Sequence, residues 1–143
     1  MRKFLFKTGI LLLVSPIELA TTLNSMSKDD VTKAFSDKTF STISAATLNG
    51  NLIDDKFTGY FSKDGKMKGK FGKKPSNAPQ NDTGVWRVND DGTMCFKWDN
   101  WDSNTEKCVN LYQLQNGILV VNDQNGFESM ILNKDMSSGD SVK

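Results

Sequence analysis

The 143-residue chain contains no histidine. Histidine is the most frequent general base and metal ligand, and the one side chain that changes charge near neutral pH unaided. Its absence excludes a Ser-His-Asp or Cys-His catalytic site, and it leaves zinc only thiolates and carboxylates, a poor donor set. Cysteine is almost as scarce: Cys95 and Cys108 are the only two, and they do not form a C-x-x-C motif. There is no fixed-period repeat and no glycine fingerprint for phosphate. An excess of one charge is also missing. With 18 Lys and Arg against 17 Asp and Glu, the net charge is +1, which gives no overall attraction to nucleic acid.

Long apolar runs are confined to the N-terminus. Residues 1–20 read MRKFLFKTGILLLVSPIELA. Arg2, Lys3 and Lys7 are basic, Ile10 to Val14 are apolar, Pro16 breaks the run, and Ala20 is small. This is the pattern of a secretory signal peptide, and the run falls short of the ~20 residues a membrane-spanning helix needs. An uncleaved anchor is the alternative. Glu18 stands where a small residue is expected, which leaves the cut site open. Removal of the signal leaves no transmembrane span and a near-neutral domain. The reading implies export to the periplasm or the medium, where two cysteines persist as a disulfide.

The remainder reads as one β-rich domain over 27–134, with 135–143 as a flexible tail. SMSKDDVTKAF opens a short helix: Ser27 is the N-cap, Asp30 stands three residues on, and Val31, Ala34 and Phe35 share a side. Two or three turns are not stable alone, so that side must pack on something. From Thr39 onward, glycine-containing turns recur at LNGN, SKDG, NDDG, QNG and DQNG. Such spacing predicts consecutive antiparallel hairpins. The fold class is mainly β: an antiparallel meander forming a strongly curled sheet or small barrel with one short N-terminal helix. KKPSNAPQND, residues 73–82, is the one long irregular segment.

Register follows from asking which pairing gathers the apolar residues on one face. With Gly65 left-handed, Phe61 faces Met67, Gly59 faces Gly69 and Phe57 faces Phe71. With Gly92 left-handed, Val88 faces Met94, Trp86 faces Phe96 and Gly84 faces Trp98. Placing Cys95 opposite Cys108 then sets Met94 against Val109 and Lys97 against Glu106, an opposite-charge pair. Facing cysteines fall within disulfide reach. An Asn125-Gly126 turn pairs Val121 with Met130 and Val120 with Ile131. GILVVN is apolar on both faces and needs cover on both, for which the short helix is the candidate. Gly59, Gly69 and Gly84 sit at inward positions, where missing side chains permit tight bending.

Trp86 and Trp98 belong to the core by this register. Trp101 lies at the tip of the loop between the cysteines, beside Asp99 and Asp102. It either displays its ring, to stack on a sugar or hold a cation, or folds back over the end of the barrel. Trp101, Asp99 and Asp102 are therefore the candidate ligand-binding residues. Calcium at Asp99, Asp102 and Glu106 is disfavoured, since the EF-hand glycine and terminal glutamate are missing. Asp54-Asp55 and Asp90-Asp91 are adjacent pairs, which suits turns and opposite strand faces better than glycoside hydrolysis. Lys66, Lys68 and Lys70 line one outer face and are the candidate partner-binding residues. A solvated face, or an edge strand guarded by lysines, is the alternative.

The stretches SDKTFSTI and GVWRVNDDGTMCFKW…EKC resemble a group of small exported bacterial domains of unknown function, with the pattern G-x-W-x-V-x-x-D-G-x-x-C-x-x-W and a later cysteine. Gly84, Trp86, Val88, Asp91, Gly92, Cys95, Trp98 and Cys108 carry the match, within residues 28–122. The resemblance implies an exported β-rich fold and no particular activity. The resulting expectation is a non-enzymatic exported β-domain that binds a small ligand or a protein partner, with no cofactor, no metal and no nucleic acid. A cell-envelope inhibitor or interaction module acting through the lysine face is the second expectation, and a small carboxylate-dependent hydrolase the third.

Overall fold

A computed structural model describes residues 23–44, 56–72, 78–122 and 126–143. Helix α1 (Lys28–Phe35) precedes eight strands: β1 (Lys38–Ser44), β2 (Phe57–Phe61), β3 (Lys66–Phe71), β4 (Asn81–Val88), β5 (Met94–Trp98), β6 (Lys107–Leu114), β7 (Gly117–Asn122) and β8 (Gly126–Ser138). Each strand pairs antiparallel with the next, and β8 pairs back onto β1, so the meander closes into a barrel. Closure removes both sheet edges.

The hairpin registers follow the apolar pattern. Phe57 pairs with Phe71, Gly59 with Gly69 and Phe61 with Met67, while Gly84 pairs with Trp98, Trp86 with Phe96 and Val88 with Met94. Both turns carry the expected left-handed glycine, Gly65 at φ 83° and Gly92 at φ 87°. Cys95 faces Cys108 and the two are bridged, with Cα atoms 4.0 Å apart.

Two pairings differ from expectation. Leu119, not Val121, faces Met130, and Ile118, not Val120, faces Ile131. The shift is two residues, which keeps every side chain on its own face; because β7 is apolar on both faces, the pattern alone cannot resolve it. A bulge between Val120 and Val121 then brings Asn122 opposite Gly126, and Asn125 lies outside the described residues. The β5–β6 ladder ends at Phe96 opposite Lys107. Glu106 instead receives two hydrogen bonds from Arg87, Nε to Oε1 at 3.2 Å and Nη2 to Oε2 at 2.9 Å. The arginine fork matches both carboxylate oxygens, which one lysine cannot do.

α1 begins as its sequence dictates, with Asp30 N–H donating to the Ser27 hydroxyl at 3.2 Å. Rather than covering the second face of β7, the helix packs on β1 and β4 at the end of the barrel. Val31 and Phe35 are fully buried, and the Phe35 ring meets Phe40 edge-on with centroids 5.1 Å apart. The Lys28–Asp90 ion pair at 2.7 Å ties the helix start to the β4–β5 turn. A plug at the barrel end buries both apolar side chains in the existing core, whereas the β7 flank offers only a flat surface.

Strand pairing also continues beyond residue 134, where a flexible tail was expected to begin. β8 runs to Ser138. Gly139 N–H donates to Asp37 O at 2.8 Å, and Thr39 Oγ1 donates to Gly139 O at 2.6 Å while accepting from Ser141 N–H at 2.9 Å. A long partner in β1 and a hydroxyl placed to bond twice give this segment somewhere to go.

The signal-peptide stretch 1–20, Asp54-Asp55, and residues 73–77 of the irregular segment lie outside the described residues. No helix among the described residues is long and apolar enough to cross a membrane.

Candidate functional site

An eight-stranded barrel has an interior just wide enough to be filled by side chains or to hold one small molecule. Here the two ends differ. At the end plugged by α1, Phe35, Phe61, Met67, Trp86 and Leu111 fill the space. Towards the other end an interior cavity of about 280 Å³ remains. One wall is aromatic: Phe57 from β2, Phe71 from β3, Trp98 from β5, and Trp101 from the following loop. Phe35, Phe40, Phe61 and Phe96 extend the aromatic lining, Met94, Val120 and Ile131 are the aliphatic part, and Thr42, Ser129, Asp102 and Lys107 supply the polar atoms. A larger hollow of about 640 Å³ lies outside the barrel beside α1, where Asn24, Lys33 and Asn133 mix with Met26, Ala34 and Met136. It is a surface groove without converging functional groups, and the interior cavity is the better candidate.

The aromatic wall exists because glycines opposite it leave room. A Cβ on Gly69 would stand 2.6 Å from ring atoms of both Phe57 and Trp98 and 2.8 Å from Trp101. The inward glycines therefore seat rings as well as permitting curvature. The Trp101 ring packs against Trp98 and Phe71, each at 4.7 Å between centroids.

Trp101 is 5% exposed, so of the two alternatives the ring takes the folded-back one. Its indole N–H donates to Pro79 O at 2.7 Å. Its backbone N–H donates to Asp82 Oδ2 at 2.8 Å. Asp82, itself buried, also accepts from Asn100 N–H on Oδ2, and from Asn100 Nδ2 and Thr83 N–H on Oδ1, each at 2.9 Å. Burial pushes the Asp82 carboxyl up, but the hydrogen bonds from Asn100, Trp101 and Thr83 outweigh it and hold the group below the usual carboxylate range. Beyond Trp101 the chain turns through three left-handed residues, Asp102, Ser103 and Asn104, with φ of 54°, 56° and 56°. Asp and Asn tolerate this conformation better than Ser. Such strain persists only where surrounding contacts hold it: Lys107 pairs with Asp102, Asn104 Nδ2 donates to Asp99 O at 3.0 Å, and Thr105 N–H donates to Asp102 O at 3.1 Å.

The three residues expected to share a ligand site separate. Trp101 and Asp102 line the cavity, and Asp102 pairs with Lys107 at 2.7 Å. Asp99 is exposed and accepts a 2.6 Å hydrogen bond from Thr83 Oγ1, away from the cavity. Lys66 pairs with Asp64 at 3.8 Å, Lys68 pairs with Asp140, and Lys70 Nζ donates to Lys143 O at 3.0 Å. The lysine row is thus answered from within the chain, chiefly by the segment after β8. Asp90 is held by Lys28, and Asp91 accepts from Thr93 N–H in the turn. Among the described residues the one close grouping of cysteine and acid atoms is Cys95, Glu106 and Cys108; two of these are joined in the disulfide and the third is held by Arg87.

Two residues of the site were overlooked in the sequence, although the pattern contained both. Carrying the inward alternation of Trp86 and Gly84 back one step puts Asp82 inside, and setting Cys95 against Cys108 puts Lys107 opposite inward Phe96. The residues that carry the resemblance, from Gly84 to Cys108, lie in β4 and β5, the turn joining them and the disulfide, and of them Trp98 lines the cavity. Compared with known proteins, the chain matches no family model, no curated protein and no solved structure.

Proposed function

We propose that the protein is a non-enzymatic exported β-domain that binds a small molecule inside its barrel. The observation that carries this reading is the aromatic-walled cavity of about 280 Å³, bounded at one end by a helix and at the other by polar side chains. Concave, mostly apolar sites with a few converging polar groups are the usual form of a small-molecule site. The disulfide and the secretory pattern of residues 1–20 support export. The described acids support no pair of catalytic carboxylates, since each one considered has a structural partner. The lysine face has little free charge to offer a partner while the β8 extension lies across it.

The test is a titration of the oxidised domain with toluene, read by methyl-group NMR. Binding shifts the methyl signals of Met94, Val120 and Ile131, which line the cavity, and leaves those of Leu23, exposed outside the barrel, unchanged. Unmoved signals at saturating toluene would overturn the reading.

A further inference from the structure

The chemistry of the cavity restricts what it takes. A cavity of about 150 Å³ is filled by a single benzene ring, and 280 Å³ has room for about twice that. The walls favour flatness. β3 and β7 stand four strands apart in an eight-strand ring, so Phe71, with Trp101 packed on it, lies across the interior from Val120. A planar molecule between them gains stacking on one side and aliphatic contact on the other.

Charge is restricted more sharply. The cavity's charged lining residues are Asp102 and Lys107, and they neutralise each other at 2.7 Å. A ligand carboxylate that bonds Lys107 also meets the Asp102 charge beside it, and a ligand ammonium that approaches Asp102 also meets Lys107. The pair therefore gives an ion little net attraction to offset its own desolvation in a mostly apolar cavity. Asp82 does not change this balance, because both its oxygens are engaged by four N–H donors and it does not line the cavity. An uncharged polar group meets no such penalty: it can accept from Lys107 or bond the hydroxyls of Thr42 and Ser129 while the ion pair stays intact. The Trp101 indole N–H already donates to Pro79 O, and Trp86 does not line the cavity.

Resting on the reading of the cavity as a small-molecule site, we infer that its ligand class is an uncharged, planar compound of about two fused rings bearing one hydrogen-bonding group, oriented with that group toward the Asp102–Lys107 pair. The probes are 2-naphthol, 2-naphthoate and 2-naphthylmethylammonium, alike in ring and different in charge. Each is titrated into the oxidised domain at pH 7 and followed by tryptophan quenching and by methyl shifts at Val120 and Ile131.

The expected result is that 2-naphthol binds at least tenfold more tightly than either ion. Lys107→Met, which leaves Asp102 unpaired, should narrow or reverse the gap for the ammonium and leave naphthoate weak. If an ion binds as well as or better than 2-naphthol at the same methyl groups, the inferred class is wrong and the small-molecule reading stands. If none of the three moves those methyl groups while toluene does, the inferred size is wrong. If toluene also fails, the reading beneath the inference fails with it.

Discussion

Asp82→Asn tests whether one carboxylate holds the aromatic wall in place. Each Asp82 oxygen accepts two hydrogen bonds at 2.8–2.9 Å, and the donors on Oδ2 are the backbone N–H groups of Asn100 and Trp101. An amide keeps one oxygen and turns an NH2 group toward the other pair of donors. An orphaned buried donor costs about 1–3 kcal/mol. Trp101 N–H is buried while Asn100 is exposed, so the total should be about 2–3 kcal/mol rather than twice the upper value. For a domain of this size that corresponds to roughly 10 °C in Tm. The pH dependence gives an independent check. A carboxyl held below its ordinary pKa stabilises the fold fully above the unfolded value of about 3.9, and that contribution disappears as pH falls through the folded value. The gap between wild type and Asp82→Asn, measured by urea unfolding from pH 7 to pH 3, should therefore be constant above about pH 5 and shrink by up to ~1.4 kcal/mol per pH unit below pH 4. Loss of the hydrogen bonds also loosens the backbone at Asn100 and Trp101, so Trp101 emission should shift red and its coupling to Trp98 weaken. Equal stability at pH 7, or a gap that does not shrink in acid, would refute the assignment.

Other consequences follow from the same geometry. Gly84→Ala should destabilise more than Gly69→Ala: its Cβ would lie 2.3 Å from the backbone oxygen of Lys97, whereas the Gly69 Cβ meets only side-chain rings that can shift. Overpacking of this kind costs about 1–3 kcal/mol, and chemical denaturation of the two variants measures the order. Reduction of Cys95–Cys108, 13 residues apart, should cost on the order of 3 kcal/mol, read as the Tm difference with and without reductant. Because β5 and β6 share only three register pairs around the bridge, this seam should also lose amide-exchange protection before the others.

Much of the barrel was legible because strand register leaves a mark on every second residue. Phe57, Phe61, Met67 and Phe71 fit only one turn, as do Trp86, Val88, Met94, Phe96 and Trp98, and the structure keeps those pairings. The pattern fails where it carries no contrast. β7 is apolar on both faces, so a two-residue slip against β8 is invisible to it. The resting place of Trp101 was open for a different reason. A loop tryptophan beside two acids looks the same whether displayed or tucked in, and the decision rests on Asp82 and Pro79, 19 and 22 residues upstream. Long-range hydrogen bonds leave no periodic trace. The site was half legible: Trp101 and Asp102 came from composition, while Lys107 and Asp82 required the inward alternation to be followed through polar positions.

An unfilled interior is itself informative about selection. Protein cores are close-packed, and cavity volume costs about 24 cal/mol per Å³, so 280 Å³ represents at most about 7 kcal/mol of stability forgone; the portion open to water at the polar end costs less. Filling it would need only a larger side chain on the aliphatic wall. Val120→Phe adds roughly 50 Å³ and should stabilise the oxidised domain by up to ~1 kcal/mol on the same scale, while weakening the binding of 2-naphthol, whose two rings need most of the cavity, more than that of toluene. A gain in stability paired with a loss of binding is the signature of space kept for a ligand rather than left by imperfect packing. Calorimetry and the probe titration on one variant read both sides. Destabilisation by more than 1 kcal/mol would mean that the side chain finds no room, and unchanged 2-naphthol binding would place that ligand elsewhere. Either result would refute the functional reading of the cavity.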